Sequence, residues 1–325
     1  AAPEADFFHP YVLLLLAHML CYMPTLGLTN TLAFHHMSDP PRQFPLVRVF
    51  GTIGWIVGNI VVGGNLKTFG IDLTWIAQGD RSPVQFYVAG GAGVLLGLYS
   101  FALPHTPPPA AGRPFSIREA IGLDSLALLL RPSYAVFVAC SFLICIPLAG
   151  YYAFARSYVS ESGFTKATLT MSFGQMSEIV FMVLMPLFFR RLGVKWILAI
   201  GMLAWVLRYG LFSLGATDGV AWMVILGVLL HGICYDFFFV TGFLYVDRAA
   251  SKEIRGQAQG FLVLVTQGLG LGLGAQLFAR RVKASTPEGG PPDWQTIWLW
   301  PCVFALGVLV VFAATFREKK KGNPA

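Results

Sequence analysis

Nine stretches of about twenty mostly apolar residues follow one another along this chain, at roughly 10–33, 47–66, 84–104, 133–156, 168–189, 196–215, 219–245, 257–279 and 295–316. Each is long enough to cross the hydrocarbon core of a bilayer as a helix. In lipid no water meets an exposed backbone amide, so a spanning segment has to satisfy its own hydrogen bonds. The pattern predicts an all-α polytopic membrane protein with nine transmembrane helices. Composition agrees, since 56% of the 325 residues are hydrophobic and only 12% are charged. A soluble domain carries about twice that share of charge.

A net charge of +7 invites a nucleic-acid reading, and the placement of the charge argues against it. Fifteen of the 23 Lys and Arg residues fall in the loops and tail on one side, six on the other, with Arg156 and Arg208 inside spans. Such an excess marks the cytoplasmic side. It predicts the N-terminus of this chain outside, the C-terminus inside, and a lipid bilayer rather than nucleic acid as the partner. All five cysteines lie in apolar spans without metal-ligand spacing. They read as small packing residues, and no metal or cofactor is expected.

The longest polar break, 105–132, divides the chain. It opens on PHTPPPAAGRP, whose prolines read as an extended linker. Ser116 and Glu119 then fit a capping box, heading a short helix whose Ile117, Ile121, Leu126 and Leu129 would rest on the inner surface. The expected organisation is three helices in 1–104, a cytoplasmic linker with an interfacial helix in 105–132, a six-helix bundle in 133–316, and a basic tail in 317–325. Six spans make one half of a common transporter plan, and three make one repeat of a half. A weak internal echo fits this: LVRVFGTIGWIVGNIVVGG and EIRGQAQGFLVLVTQGLGLGLG both place an Arg before glycine-rich helix. Gly268, Gly270, Gly272 and Gly274 are dense enough to let another helix approach closely.

Polar residues inside the spans carry the chemistry. Glu178 is the only charge from Met171 to Phe189, and Asp236 the only one from Val220 to Tyr245. A charge at bilayer depth costs at least about 2.5–3.5 kcal/mol, so such residues are candidates for moving something polar, with or without a proton. Gln175 shares a helix face with Glu178; its amide both donates and accepts, as the edge of a heterocyclic base requires. Arg48, Thr52 and Trp55 stand at i, i+4 and i+7, offering a cation, a hydroxyl and an aromatic plate. His231 and Tyr235 share a face beside Asp236, a carboxylate whose burial suits it to loading and releasing a proton. Each set also has a plainer reading: an Arg placed by the charge rule, a hydrogen-bonded pair between helices, or a salt bridge from Asp236 to Arg208 or Arg156. No GxSxG, HExxH or P-loop pattern occurs, and His35 and His36 lack metal spacing, so an enzyme is not expected. The residues leave open a carrier of some other polar solute, such as a sugar, and a sensor that binds without translocating.

Longer motifs narrow the choice. YMPTLGLTNT (22–31), FPLVRVFGTIGW (44–55), LPH (103–105), SFGQMSEIVF (172–181), RRLGVK (190–195), AWVLRYGLF (204–212), HGICYDFFFVTG (231–242), RGQAQGF (255–261) and DWQTIW (293–298) occur in this order. Together they resemble the nucleoside:proton symporter family of the major facilitator superfamily over nearly the whole chain. The resemblance implies twelve helices in two bundles of six, of which this chain would hold nine and lack the first three. It implies a monomeric, proton-coupled importer of nucleosides in the bacterial inner membrane, working by alternating access. Trp55 and Tyr235 would wall the base, Gln175 would read its edge, and Arg48, Thr52 and Glu178 would bond its oxygens and hydroxyls. Asp236 is the expected proton carrier, with Glu178 as a second candidate for that role. Two places depart from the family: PLAGYYAFAR puts Ala149 and Tyr152 where permeases of the family carry amides, and His231 stands where they carry Tyr. Tyr152 and His231 are therefore expected substrate contacts that differ in this chain, and the particular nucleoside is left open.

Overall fold

The structure, a computed structural model, describes residues 9–62, 82–107, 122–218 and 220–317. Among these residues every regular element is helical. In chain order they are α1 (Pro10–His36), α2 (Pro40–Val62), α3 (Val84–Ser100), α4 (Pro132–Glu161), α5 and α6 within Ala167–Asp218, α7 (Ala221–Ala249), α8 (Arg255–Ala284) and α9 (Trp294–Thr315). The division between α5 and α6 falls at Gly193, whose φ of 71° and ψ of 171° belong to a region that side chains with a Cβ avoid. Each of the nine expected spans meets a helix among the described residues, but α3, at 17 residues, is shorter than its expected span, and residues 63–66 of the second lie outside the described residues. The helix ends follow local chemistry. Helices α1, α2 and α4 start on Pro10, Pro40 and Pro132, where a missing N–H costs no hydrogen bond. This is why α2 begins at Pro40 and not near 47: its first turn carries Arg42 and Gln43, which hydropathy excludes. Helix α9 is capped by Asp293, whose carboxylate accepts from the Thr296 amide at 3.1 Å.

Helices α4 to α9 form a bundle around Trp205, Tyr209, Phe212, Tyr158 and Trp298, all fully buried. Lipid gives helices no hydrophobic drive to associate, so close packing and hydrogen bonds hold them. The Tyr158 hydroxyl, for example, donates to the Phe212 carbonyl at 2.8 Å. Of Gly268, Gly270, Gly272 and Gly274 on α8, two are needed for a close crossing. A Cβ on Gly270 would lie 2.8 Å from that of Cys145, and one on Gly274 would strike the Ile146 carbonyl, both on α4. Gly272 faces nothing within 4 Å, and Gly268 faces only Leu264 of its own helix. On α2, Gly54 and Gly58 also face nothing within 4 Å among the described residues.

Helices α1 and α2 lean on this bundle at one end. The buried residues of α1 are Gly27, Asn30 and Phe34, all in its second half; those of α2 are Phe44 and Pro45 toward its start and Thr52 at its middle. Phe34 and Phe44 meet with ring centroids 4.3 Å apart. At Gly27 a Cβ would come within 3.3 Å of the Gly260 amide nitrogen, so α1 and α8 touch almost backbone to backbone there. The capping box at Ser116 and Glu119 lies outside the described residues. Beyond it runs a 3-10 helix, Leu123–Leu130, with Ser125 and Leu128 buried against the bundle. The expected surface helix is thus, in its described part, a docked 3-10 turn. Of the basic tail, residues 318–325 lie outside the described residues, and the Arg317 carbonyl accepts from Ser133 at 2.6 Å.

Candidate functional site

The site forms where α5 crosses α7. Helix α7 is not continuous: it breaks at Leu230 and carries a π-helical turn at Asp236–Val240, a feature that recurs at functional positions. Ser177 of α5 fills the break. Its hydroxyl accepts the Gly232 amide at 3.0 Å and reaches the Leu229 and Gly174 carbonyls at 2.7 and 2.6 Å. Glycine is required on both helices. A Cβ on Gly232 would lie 2.6 Å from the Ser177 backbone carbon, and one on Gly174 would lie 3.0 Å from the His231 Cβ. The two backbones therefore touch, which brings Glu178 and His231 side by side.

Four side chains from four helices then join. The Glu178 Oε1 lies 3.0 Å from His231 Nε2, and its Oε2 accepts from the Thr52 hydroxyl of α2 at 3.0 Å. His231 Nδ1 lies 2.8 Å from the Arg208 Nη2 of α6. A guanidinium donates and never accepts, so Nδ1 must be the acceptor and the ring hydrogen sits on Nε2. The imidazole is thus neutral, donating to Glu178 and accepting from Arg208. The Arg208 guanidinium carbon also lies 3.4 Å above the Tyr151 ring, which itself stacks on His231 at 5.3 Å. Arg208, His231, Glu178 and Thr52 are all buried.

Asp236 stands apart. It is fully buried, and neither carboxylate oxygen has a hydrogen-bond partner among the described residues. The lock from Asp236 to Arg208 or Arg156 is not formed, because Arg208 is committed to His231 and Tyr151, and the Arg156 Nε donates to Thr168 at 3.0 Å. A buried charge with no donor is costly, so this carboxylate has to hold a proton or meet a cation.

The remaining expected residues are arranged more loosely. Arg48 Nη2 donates to the Tyr235 hydroxyl at 3.4 Å, linking α2 to α7. Gln175 is half-buried one turn before Glu178. Trp55 is 59% exposed and Tyr152 50% exposed, so neither belongs to the buried network. Sequence reasoning missed Arg208 and Tyr151 as members of the site. The available signal was Arg208 as the only cation of its span, together with the Tyr151–Tyr152 pair, of which the structure turns Tyr151 inward. Chemically, the cluster offers a fixed carboxylate. Each Glu178 oxygen uses one lone pair on a protein donor and keeps another for the hydroxyls of a polar solute.

Residues 1–321 match the family model described as nucleoside H+ symporter. The chain is 39% identical over 326 residues to "Putative nucleoside transporter YegT" of Escherichia coli strain K12, covering 98% of this chain and 75% of that protein. It is 31% identical over 332 residues to nucleoside permease NupG of the same strain, again covering 98% and 75%. The crystal structure of an aspartate-to-alanine variant of NupG superposes with a TM-score of 0.72 at 30% identity, covering 94% of this chain and 77% of that one.

Proposed function

The chain belongs to the nucleoside H+ symporter family, transporters rather than enzymes, and from that membership we propose that it imports nucleosides with protons by alternating access. It would do so as a single chain in the bacterial inner membrane, with α1 entering from outside. In that orientation the end where α1 and α2 grip the bundle is cytoplasmic, and the conformation is outward-facing.

The observation that carries the reading is the contrast between two buried carboxylates. Glu178 is held by His231 and Thr52, while Asp236 has no hydrogen-bond partner among the described residues. A pinned carboxylate suits recognition, because its remaining lone pairs point in fixed directions. An unpaired one suits proton carriage, because a proton changes its charge without breaking a contact. Nucleoside hydroxyls donate to Glu178, and Gln175 bonds the base edge. Arg48 bonds base or ribose oxygens, and Trp55, Tyr152 and Tyr235 wall the base. His231 has both ring nitrogens engaged, so it supports the site and offers no polar group of its own. A proton arriving on Asp236 from outside neutralises the buried charge and favours closure around the substrate. Its release to the more alkaline interior resets the carrier.

Asp236→Asn keeps the shape and removes the titrating group. In proteoliposomes it is expected to lose pH-gradient-driven accumulation of labelled uridine while still binding uridine. Uphill uptake at the unmodified rate by that variant would sink the assignment.

A further inference from the structure

We propose that Arg208 and His231 are a positioning pair that fixes the Glu178 carboxylate for its nucleoside, so that an arginine with no access to the substrate sets substrate affinity. This rests on the reading of Glu178 as a nucleoside contact. Arg208 is fully buried on α6 and cannot touch a ligand in the cleft. Its Nε and Nη1 have no hydrogen-bond partner among the described residues, its Nη2 donates to His231 Nδ1 at 2.8 Å, and Tyr151 and the Cys234 thiol also lie beside the guanidinium. An arginine that locked helices would spend its five donors on carbonyls or carboxylates. This one spends its directional bond on an imidazole and lays its plane on Tyr151.

That single bond decides the state of the ring. With Arg208 donating to Nδ1, the hydrogen of His231 is confined to Nε2, where it donates to Glu178 Oε1 at 3.0 Å. Turning the ring over would place C–H groups against both Arg208 and Glu178, and the Tyr151 stack opposes the turn. The donors run one way, from Arg208 to His231 to Glu178, with Thr52 closing from the other side. Remove Arg208 and Nδ1 loses the donor that anchors the ring, which Glu178 and the Tyr151 stack are then left to hold in place. The His231 contact, one of the two that aim the Glu178 lone pairs, then loosens.

The test is uridine affinity, by calorimetry on the purified full chain in nanodiscs, with thermal unfolding followed in parallel. Arg208→Met and His231→Leu are each expected to weaken binding roughly tenfold or more, the scale of a lost charge-assisted hydrogen bond. His231→Gln, whose amide can accept from Arg208 and donate to Glu178, is expected to recover most of that loss. Because Arg208 acts through Glu178, Arg208→Met should weaken binding no further in a Glu178→Gln background. If Arg208→Met alone does not fold, that charge-neutral double variant and the two His231 variants decide. Wild-type affinity in His231→Leu, or an undiminished effect of Arg208→Met in the Glu178→Gln background, overturns the positioning pair. Wild-type affinity in Glu178→Gln overturns instead the reading of Glu178 as the nucleoside contact.

Discussion

At the scale of single residues, the difference between Glu178 and Asp236 lies in what surrounds them and not in the carboxylates themselves. Both were legible as lone charges in apolar spans, and so were Thr52 and His231 as polar residues on shared faces. Their partners were not. Helical periodicity says which residues share a face, and it cannot say which face lies opposite. Arg208 was therefore visible as a cation in a span and weighed only as a salt-bridge partner of Asp236, while Tyr151 was passed over for its more exposed neighbour Tyr152. The contribution of Thr52 can be isolated. Its hydroxyl donates to Glu178 Oε2 at 3.0 Å in a buried setting, and a hydrogen bond to a charged group is worth about 1.5–3 kcal/mol. Thr52→Val keeps the volume and removes the donor, so the KM for uridine should rise about tenfold or more. Thr52→Ser should stay close to the parent. Uptake kinetics in proteoliposomes check both, and an unchanged KM in Thr52→Val would show that Glu178 does not need this donor.

At the scale of elements, the nine helices were readable because hydropathy belongs to a segment by itself, whereas the interruption of α7 was not. Nothing in LGVLLHGICYD announces a break: Leu229 and Leu230 are ordinary helix formers, and no proline is near. The break is met from outside, by the Ser177 hydroxyl of α5 bonding the freed Gly232 amide. Gly232 itself reads as one more small residue in a membrane helix until the 2.6 Å approach to the Ser177 backbone is known. Two variants should therefore differ in severity. Ser177→Ala leaves a buried amide without its acceptor, a loss of about 1–3 kcal/mol, and should lower the melting temperature of the purified carrier. Gly232→Ala puts a methyl group against backbone that cannot move aside as a side chain can, so α7 must shift off α5 and carry His231 away from Glu178. It should lose more stability than Ser177→Ala and most of the uridine binding. Melting curves and calorimetry on the two proteins settle the order, and equal stability of Gly232→Ala and the parent would contradict the crossing as described.

At the scale of the whole molecule, what matters is which end is shut, and no single span reveals it. The buried positions of α1 gather in its second half, and those of α2 are Phe44 and Pro45 near its start with Thr52 at its middle, so both helices meet the α4–α9 bundle from the same end up to the level of Glu178. The ion pair from Arg255 Nε to Asp247 at 2.8 Å lies at that end, joining the start of α8 to the end of α7. Access by alternation requires this end to part while the other closes, so a bond across it should arrest the cycle. Thr31 on α1 and Gly256 on α8 are suited to carry one. A Cβ on Gly256 would lie 3.8 Å from both branch atoms of the Thr31 side chain, and a disulfide needs a Cβ separation of about 3.5–4.5 Å. In a background where exposed Cys21 is replaced, Thr31→Cys with Gly256→Cys should stop uridine uptake on oxidation and recover it on reduction. The trapped protein should still bind uridine from the open side, because Glu178, His231 and Thr52 are already assembled in this conformation. Either single cysteine, treated with the same oxidant, should transport normally. If the bonded pair transports at the reduced protein's rate, then α1 and α8 stay together throughout the cycle and the moving boundary lies elsewhere.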